Sequence, residues 1–317
     1  MNSSVRIRLK PFVIFLTLAA CAQATAESSP NGLTGAAMQL HFSSDLIQDQ
    51  KSFFDKLETF VENIISENAV CFVVFPEYTS VFLSLVPYAA EIEASRSVAG
   101  AFSRIRQADA RISNFRDLFI INADRFESLI YEFWGAIARK FEIYIVPGTY
   151  FHYDAVRNKL FNRAFVIDPE GKLIYWQDKA FLTEFETELL SLDPGKPVDA
   201  NVFTILGNKV ALTICRDTFF NVWEQKFGDA DLWIDIKADG IEAVFDSFDG
   251  AMHALPGRII NSGVSHGLTV CLTGGILEHE WRGKSYFFSQ SNENLELDAI
   301  ADTSVGGDVV FFAVKNY

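Results

Sequence analysis

The chain has 317 residues, 49% of them hydrophobic and 14% aromatic, which supplies a large buried core and excludes a disordered chain. Its 27 basic and 41 acidic residues give a net charge of −14, and without residues 1–26, which hold three basic and no acidic residues, the balance is −17. Nucleic acid and anionic membrane surfaces are poor partners for such a chain.

The first 26 residues read as an export signal, with Arg6, Arg8 and Lys10 at a basic start, an apolar stretch over 12–20 and the small-residue pattern Ala24-Thr25-Ala26. The apolar stretch is too short to span a bilayer. Leu18-Ala19-Ala20-Cys21 resembles a bacterial lipobox, which predicts a lipid anchor on Cys21 and a tether over 23–31. Cleavage after Ala26 to a soluble product is the alternative. Either product is exported, periplasmic or extracellular. Cys71, Cys215 and Cys271 then remain, too few and odd in number for a disulfide scaffold. Cys71 and Cys271 lie inside apolar runs and read as core.

Residues 33–42 read as a first strand, 45–66 as an amphipathic helix and 70–75 as a buried strand. A second helix runs from 126 to 141, before a strand at 143–146. Between them, 91–124 is the least patterned internal stretch and reads as an insertion of loop or short helices near the site. A hairpin follows, AFVID and KLIYW around Asp168-Pro169-Glu170-Gly171, then a second across Gly207-Asn208 that pairs 203–206 with 209–215. Strands are expected at 231–236, 268–273, 284–290 and 308–314, with 243–266 mostly helical and Gly267 as its C-cap. Strands alternating with helices, mixed with hairpins, predict one α/β domain with mixed sheets over 33–315.

Three apolar runs stop at a reactive residue: VCFVVFPEYTS at Glu77, YWQDKAFLTEFE at Lys179 and NKVALTICRDTFF at Cys215. A strand-end thiol becomes a nucleophile once a base takes its proton, and Glu77, at the end of an apolar strand, can be that base. Lys179 and the backbone N–H of Arg216 could hold the oxyanion formed when the thiolate attacks a carbonyl. Singly, each has a blander reading as a surface Glu, a loop Lys or a core Cys.

In combination these residues resemble the nitrilase, or carbon–nitrogen hydrolase, superfamily, whose members carry Glu, Lys and Cys in this order. Here Lys179 and Cys215 are 36 apart, typical of the family, and Glu77 and Lys179 are 102 apart, longer than usual. FNRAFVIDPEGKLIYWQDK is similar to the family's YNTA-VIDPDGK-x-K stretch, and Arg258-Ile259-Ile260-Asn261 to its RA-x-EN helix. After the cysteine the common C-x-D-x-R-F-P-E is altered: Asp217 and Phe220 match, while Phe219, Asn221 and Val222 replace Arg, Pro and Glu. Phe181-Leu182 replaces the common His-Leu. These changes bear on substrate.

The resemblance implies an α-β-β-α sandwich, two mixed sheets between helical layers, with members pairing through a helical face as homodimers or larger homo-oligomers. It implies hydrolysis of a non-peptide C–N bond, a carboxamide first, through a thioester on Cys215; a nitrilase or acyltransferase of the same fold, or an inactive exported binding protein, are the alternatives. It further implies a second acid past the lysine, Glu186, with Glu184 and Glu188 as rivals. Proximity to the triad suggests Tyr78, Phe181, Phe219 and Phe220 as the substrate pocket.

No metal and no cofactor are expected. His152 with Asp154, and His279 with Glu280, lack a spaced third ligand, and no phosphate-cradling glycine pattern exists. Gly263-Val264-Ser265-His266-Gly267 matches the G-x-S-x-G nucleophile elbow, but a helix is expected before it and a strand after, the reverse of what the elbow needs. The isochorismatase-like hydrolases also order acid, Lys and Cys, with an early Asp in a single-sheet fold; FPE and the two hairpins favour the nitrilase sandwich.

Overall fold

The computed structural model describes residues 32–240, 253–291 and 294–315. Its strands in chain order are β1 (Leu33–Gln39), β2 (His41–Phe42), β3 (Phe72–Phe75), β4 (Tyr144–Pro147), β5 (Thr149–Asp154) and β6 (Lys159–Ile167). Then come β7 (Leu173–Asp178), β8 (Phe203–Ile205), β9 (Asn208–Ile214), β10 (Leu232–Lys237) and β11 (His266–Cys271). The last are β12 (Thr273–Ile276), β13 (His279–Trp281), β14 (Tyr286–Ser291), β15 (Asn294–Ile300) and β16 (Asp308–Val314). The helices are α1 (Gln50–Glu67), α2 (Ala89–Glu93), α3 (Val98–Ala108), α4 (Phe115–Ile120), α5 (Ala123–Phe141), α6 (Val222–Phe227) and α7 (Leu255–Ile260).

Two large sheets are stacked. One has the order β16-β1-β3-β4-β6-β5 with β7 on β6, and the other β15-β14-β11-β10-β9-β8. Period-two alternation decides what each strand buries. Phe72 and Val74 of β3 face Leu212, Ile214, Ile234 and Ile236 of the second sheet, forming the layer between the sheets. Their neighbours Val73 and Phe75 face outward against Phe53, Leu57 and Val61 of α1 and Ile130, Trp134 and Ile137 of α5. On the far side Trp233 and Phe288 pack under Trp223 and Phe227 of α6 and Leu255 and Ile259 of α7. The result is an α-β-β-α sandwich.

Some elements differ from the sequence reading. The run at 33–42 is split, because β1 pairs with β16 and β3 whereas β2 leaves to pair with β12 in a small third sheet. Of the helix expected over 243–266, residues 241–252 lie outside the described residues, and the helical part is Leu255–Ile260. His266 already opens β11, and Gly267 is therefore not a helix cap. Gly267 lies opposite Phe288, whose ring would be 2.2 Å from a Cβ there, so close ring-on-backbone packing requires the glycine. Strands β5, β12, β13 and β15 were not expected at all. Cys271 is buried as read, but Cys71 is half-buried, just ahead of β3. The unpatterned stretch 91–124 folds mainly as α2, α3 and α4, with Ser97 and Asn114 capping the last two by accepting from Gly100 and Asp117 N–H groups. Among the described residues no helix is long and apolar enough to cross a membrane. The signal and Cys21 lie outside the described residues.

Candidate active site

Glu77 lies two residues past β3, in a turn fastened from several sides. The Tyr78 N–H donates to Thr149 Oγ1 at 2.9 Å, and the Thr79 hydroxyl donates to the Pro76 carbonyl at 2.8 Å. Ser80 donates to the Pro147 carbonyl and accepts the Trp134 indole N–H. Tyr78 is held in the left-handed region at φ 66°, an enforced backbone for a non-glycine residue. Gly148 has φ 73°, and a Cβ there would fall 2.0 Å from the Pro76 carbonyl oxygen, so this glycine lets the next strand lie against the turn.

The Glu77 carboxylate is almost wholly buried and its oxygens are filled. Oε1 accepts from Lys179 Nζ at 2.8 Å and from Asn162 Nδ2 at 2.8 Å, and Oε2 accepts the Ala238 N–H at 3.0 Å. Lys179 follows β7 and donates also to Glu186 at 2.9 Å. Glu186 is fully buried on a π-helical turn, Phe185–Leu189; it accepts from Asn162 at 2.9 Å, the Tyr78 hydroxyl at 3.0 Å and the Thr183 N–H at 2.9 Å. Glu184 and Glu188 point to solvent. Of the three acids, Glu186 is the one placed at the lysine.

Cys215 directly follows β9 at φ 51°, again left-handed, and opens a 3₁₀ turn over Cys215–Phe219. Two side chains tie that turn to the lysine loop. Asp217 Oδ1 accepts the Ala180 and Phe181 N–H groups at 3.1 and 2.9 Å, and Arg216 Nη1 donates to the Leu182 carbonyl. The Arg216 N–H belongs to the first turn, whose amides have no acceptor within the helix.

Electrostatics suit a shared proton. Burial raises Glu77, with the Glu186 charge in the same direction and Lys179 opposing. Burial acts to lower Lys179, but Glu77, Cys215 and Glu186 outweigh it and hold the ammonium protonated. Burial pushes the Cys215 thiol well up, aided by Glu77 and opposed by Lys179 and Lys237. Cys215 at rest is thus a thiol that needs a base.

Lys237 and Asn162 had no role in the sequence reading. In the parallel register Ile236 pairs with Ile214, so Lys237 stands level with Cys215 one residue on. Its buried ammonium lies 3.7 Å from Asp235, 3.8 Å from Asp239 and 5.1 Å from the Phe219 ring centroid. The signal was present in LWIDIKADG, an apolar strand ending in a lysine. Asn162 sat within the quoted FNRA stretch.

Of the four suggested pocket residues, Tyr78 lines an apolar cavity beside Glu186. Phe181 and Phe220 stack at 3.7 Å and pack toward Trp223, and Phe219 is 45% exposed. His152 bonds Glu127 at 2.9 Å, and His279 packs edge-on against Phe185. Among the described residues no group of three or more His, Cys, Asp or Glu side chains is placed to hold a metal. The Ser265 hydroxyl donates to the Asp231 carbonyl, between a helix and the strand that follows, the reverse of an elbow.

The sequence profile of the carbon-nitrogen hydrolase family matches residues 34–239, a span containing Glu77, Lys179, Glu186, Cys215 and Lys237. The chain belongs to the carbon-nitrogen hydrolase family. This hydrolase is similar in fold to Saccharomyces cerevisiae Nit3, a member of branch 10 of the nitrilase superfamily, at TM-score 0.64 and 19% identity over 92% of this chain and 93% of that one. It is also similar to a carbon-nitrogen hydrolase from Helicobacter pylori, at TM-score 0.63 and 16% identity over 89% and 88%. A Nesterenkonia amidase of the nitrilase superfamily, solved as a cysteine-to-serine mutant, superposes at TM-score 0.62 and 15% identity over 90% and 93%. No curated protein sequence matches the chain.

Proposed function

We propose that this carbon-nitrogen hydrolase is an exported amidase that cleaves non-peptide carboxamides through a thioester on Cys215. The observation behind it is the Lys179 ammonium, 1% exposed and bonded to both Glu77 and Glu186, beside a strand-end cysteine in left-handed backbone. Glu77 takes the thiol proton as Cys215 Sγ forms a bond to the amide carbon. The oxyanion that results is held by Lys179 Nζ and the Arg216 N–H. As the C–N bond breaks, Glu77 passes its proton to the departing nitrogen, and ammonia or an amine leaves. Water then attacks the thioester, giving a proton to Glu77, which returns it to the departing thiolate. One carboxyl serves as base and acid in turn, and burial, which raises the Glu77 carboxyl, favours that exchange. Glu186 holds Lys179 in place.

Two features support amide over nitrile and an exported site of action. The Nesterenkonia amidase, similar in fold, has been captured with acrylamide added at its active-site cysteine. The basic, apolar and small-residue pattern of residues 1–26 supports export, with Cys21 as a lipid anchor or Ala26 as the cleavage site. The test is ammonia release by the chain from residue 27 against matched carboxamides, nitriles and carbamoyl compounds. Amide turnover lost in Cys215→Ala is expected; nitrile turnover without amide turnover, or activity surviving in Cys215→Ala, contradicts the proposal.

A further inference from the structure

Behind Tyr78 lies a cavity of about 120 Å³ walled by the Val81–Tyr88 turn, helices α2, α3 and α4, the π-helical turn and strands β5, β12 and β13. No Asp, Glu, Lys or Arg lines it, and Tyr78, His279 and Trp281 are the lining residues with any side-chain nitrogen or oxygen. A pocket with so little to hydrogen-bond suits neither water nor a charged ligand. An apolar cavity of roughly 150 Å³ is known to hold one benzene molecule, so the space matches a phenyl ring or a short branched alkyl group.

Its position links it to the reacting groups. Tyr78 directly follows Glu77; its ring faces the cavity while its hydroxyl bonds Glu186 at 3.0 Å, and Glu186 is 2.9 Å from the Lys179 ammonium. On the π-helical turn, Phe185 and Leu189 face the cavity while Glu186 turns to the lysine. Tyr78 and the π-helical turn therefore border both the cavity and the carboxylate cluster. The left-handed backbone at Tyr78 sets its place between them.

We propose that this cavity is the acyl subsite, and that the substrate is a carboxamide whose acyl portion ends in an uncharged phenyl-sized or branched alkyl group. This rests on the amidase reading. With the carbonyl oxygen at Lys179, the acyl tail passes Tyr78 into the apolar space, and its burial is realised while the carbonyl is held against Cys215. Charged acyl groups have no counter-charge there.

The experiment compares phenylacetamide, isovaleramide, succinamate and acetamide in the wild-type chain, in Ala101→Ile, which fills the cavity from α3, and in Phe102→Ala, which enlarges it. Phenylacetamide and isovaleramide should lead in kcat/KM, and Ala101→Ile should cost phenylacetamide roughly tenfold or more while acetamide changes less than about twofold. Phe102→Ala should move the preference toward 4-phenylbutanamide. Toluene should raise the melting temperature of wild type and of Cys215→Ala, and fail to do so in Ala101→Ile, a readout that needs no turnover. Amide hydrolysis with acetamide or succinamate preferred, equal losses on all substrates in a folded Ala101→Ile, or no response to toluene overturns the subsite and leaves the amidase standing. No hydrolysis of any amide overturns both.

Discussion

Asp217 Oδ1 accepts the Phe181 N–H at 2.9 Å, fastening the turn that presents Cys215 to the loop that presents Lys179. Cys215 and Lys179 come from strands in different sheets, β9 and β7, so a bond between their loops fixes a distance that neither strand alone sets. Burial raises the Asp217 carboxyl to about 8, against the pull of the Phe181, Ala180 and Ile214 amides and Lys179. An acid with a raised folded pKa binds more protons folded than unfolded. Its contribution is therefore complete below the unfolded value of 3.8 and is lost as pH rises to about 8. Burial raises Asp235 to about 7 with the same sign, while buried His266, lowered, acts oppositely. Thermal denaturation of wild type and Asp217→Asn across pH 4 to 9 isolates the group: wild type should lose stability relative to the variant as pH rises. Parallel curves would show that Asp217 is charged throughout.

Lys179→Met should cost both turnover and stability. It leaves Glu77 and Glu186 buried without their cation, and breaking a buried pair costs about 3–5 kcal/mol. Because one carboxyl can then take a proton, lowering the pH should restore part of the melting temperature but none of the activity. Glu186→Gln should depress kcat, whereas Glu184→Gln and Glu188→Gln, at exposed positions, should leave it unchanged.

Much of this site was legible because chemistry sits where apolar runs stop. Glu77, Lys179 and Cys215 stand just past the ends of β3, β7 and β9, and an abrupt change of residue type marks Glu77 and Cys215, whereas Lys179 follows Gln177 and Asp178 on the largely exposed β7. Asn162 was not legible: it lies within β6, and its two bonds exist because that strand passes between Glu77 and Glu186. Strands β12 and β13 are short and carry glycines and charges, so neither period shows in them. The Gly267 error has a different origin. A glycine after an apolar helical pattern looks like a cap, and the ring of Phe288 that demands it comes from 21 residues further along the chain.

Lys237→Met should slow alkylation of Cys215 by iodoacetamide at a given pH and move its pH-rate profile upward, since the Lys237 charge lowers the thiol pKa. Cys271, raised to about 12 by burial, stays unreactive and serves as the internal control. An unchanged profile would reduce Lys237 to a structural partner of Asp235 and Asp239.

Gly148→Ala should impair the enzyme from outside the cluster. The added methyl meets the Pro76 carbonyl at a left-handed position, so the turn bearing Glu77 must shift. A loss of about 1–3 kcal/mol in stability with a fall in kcat is expected. Gly207→Ala, where the space for a Cβ is open, should show the smaller backbone cost alone, with activity intact.

The proposed mechanism turns on a thioester at Cys215. Acid-quenched intact-mass and peptide analysis of the chain during turnover of a carboxamide reads it directly. An adduct of the acyl mass on the peptide containing Cys215, absent in Cys215→Ala, is the expected result; ammonia release with no adduct, or an adduct on another residue, would contradict the thioester.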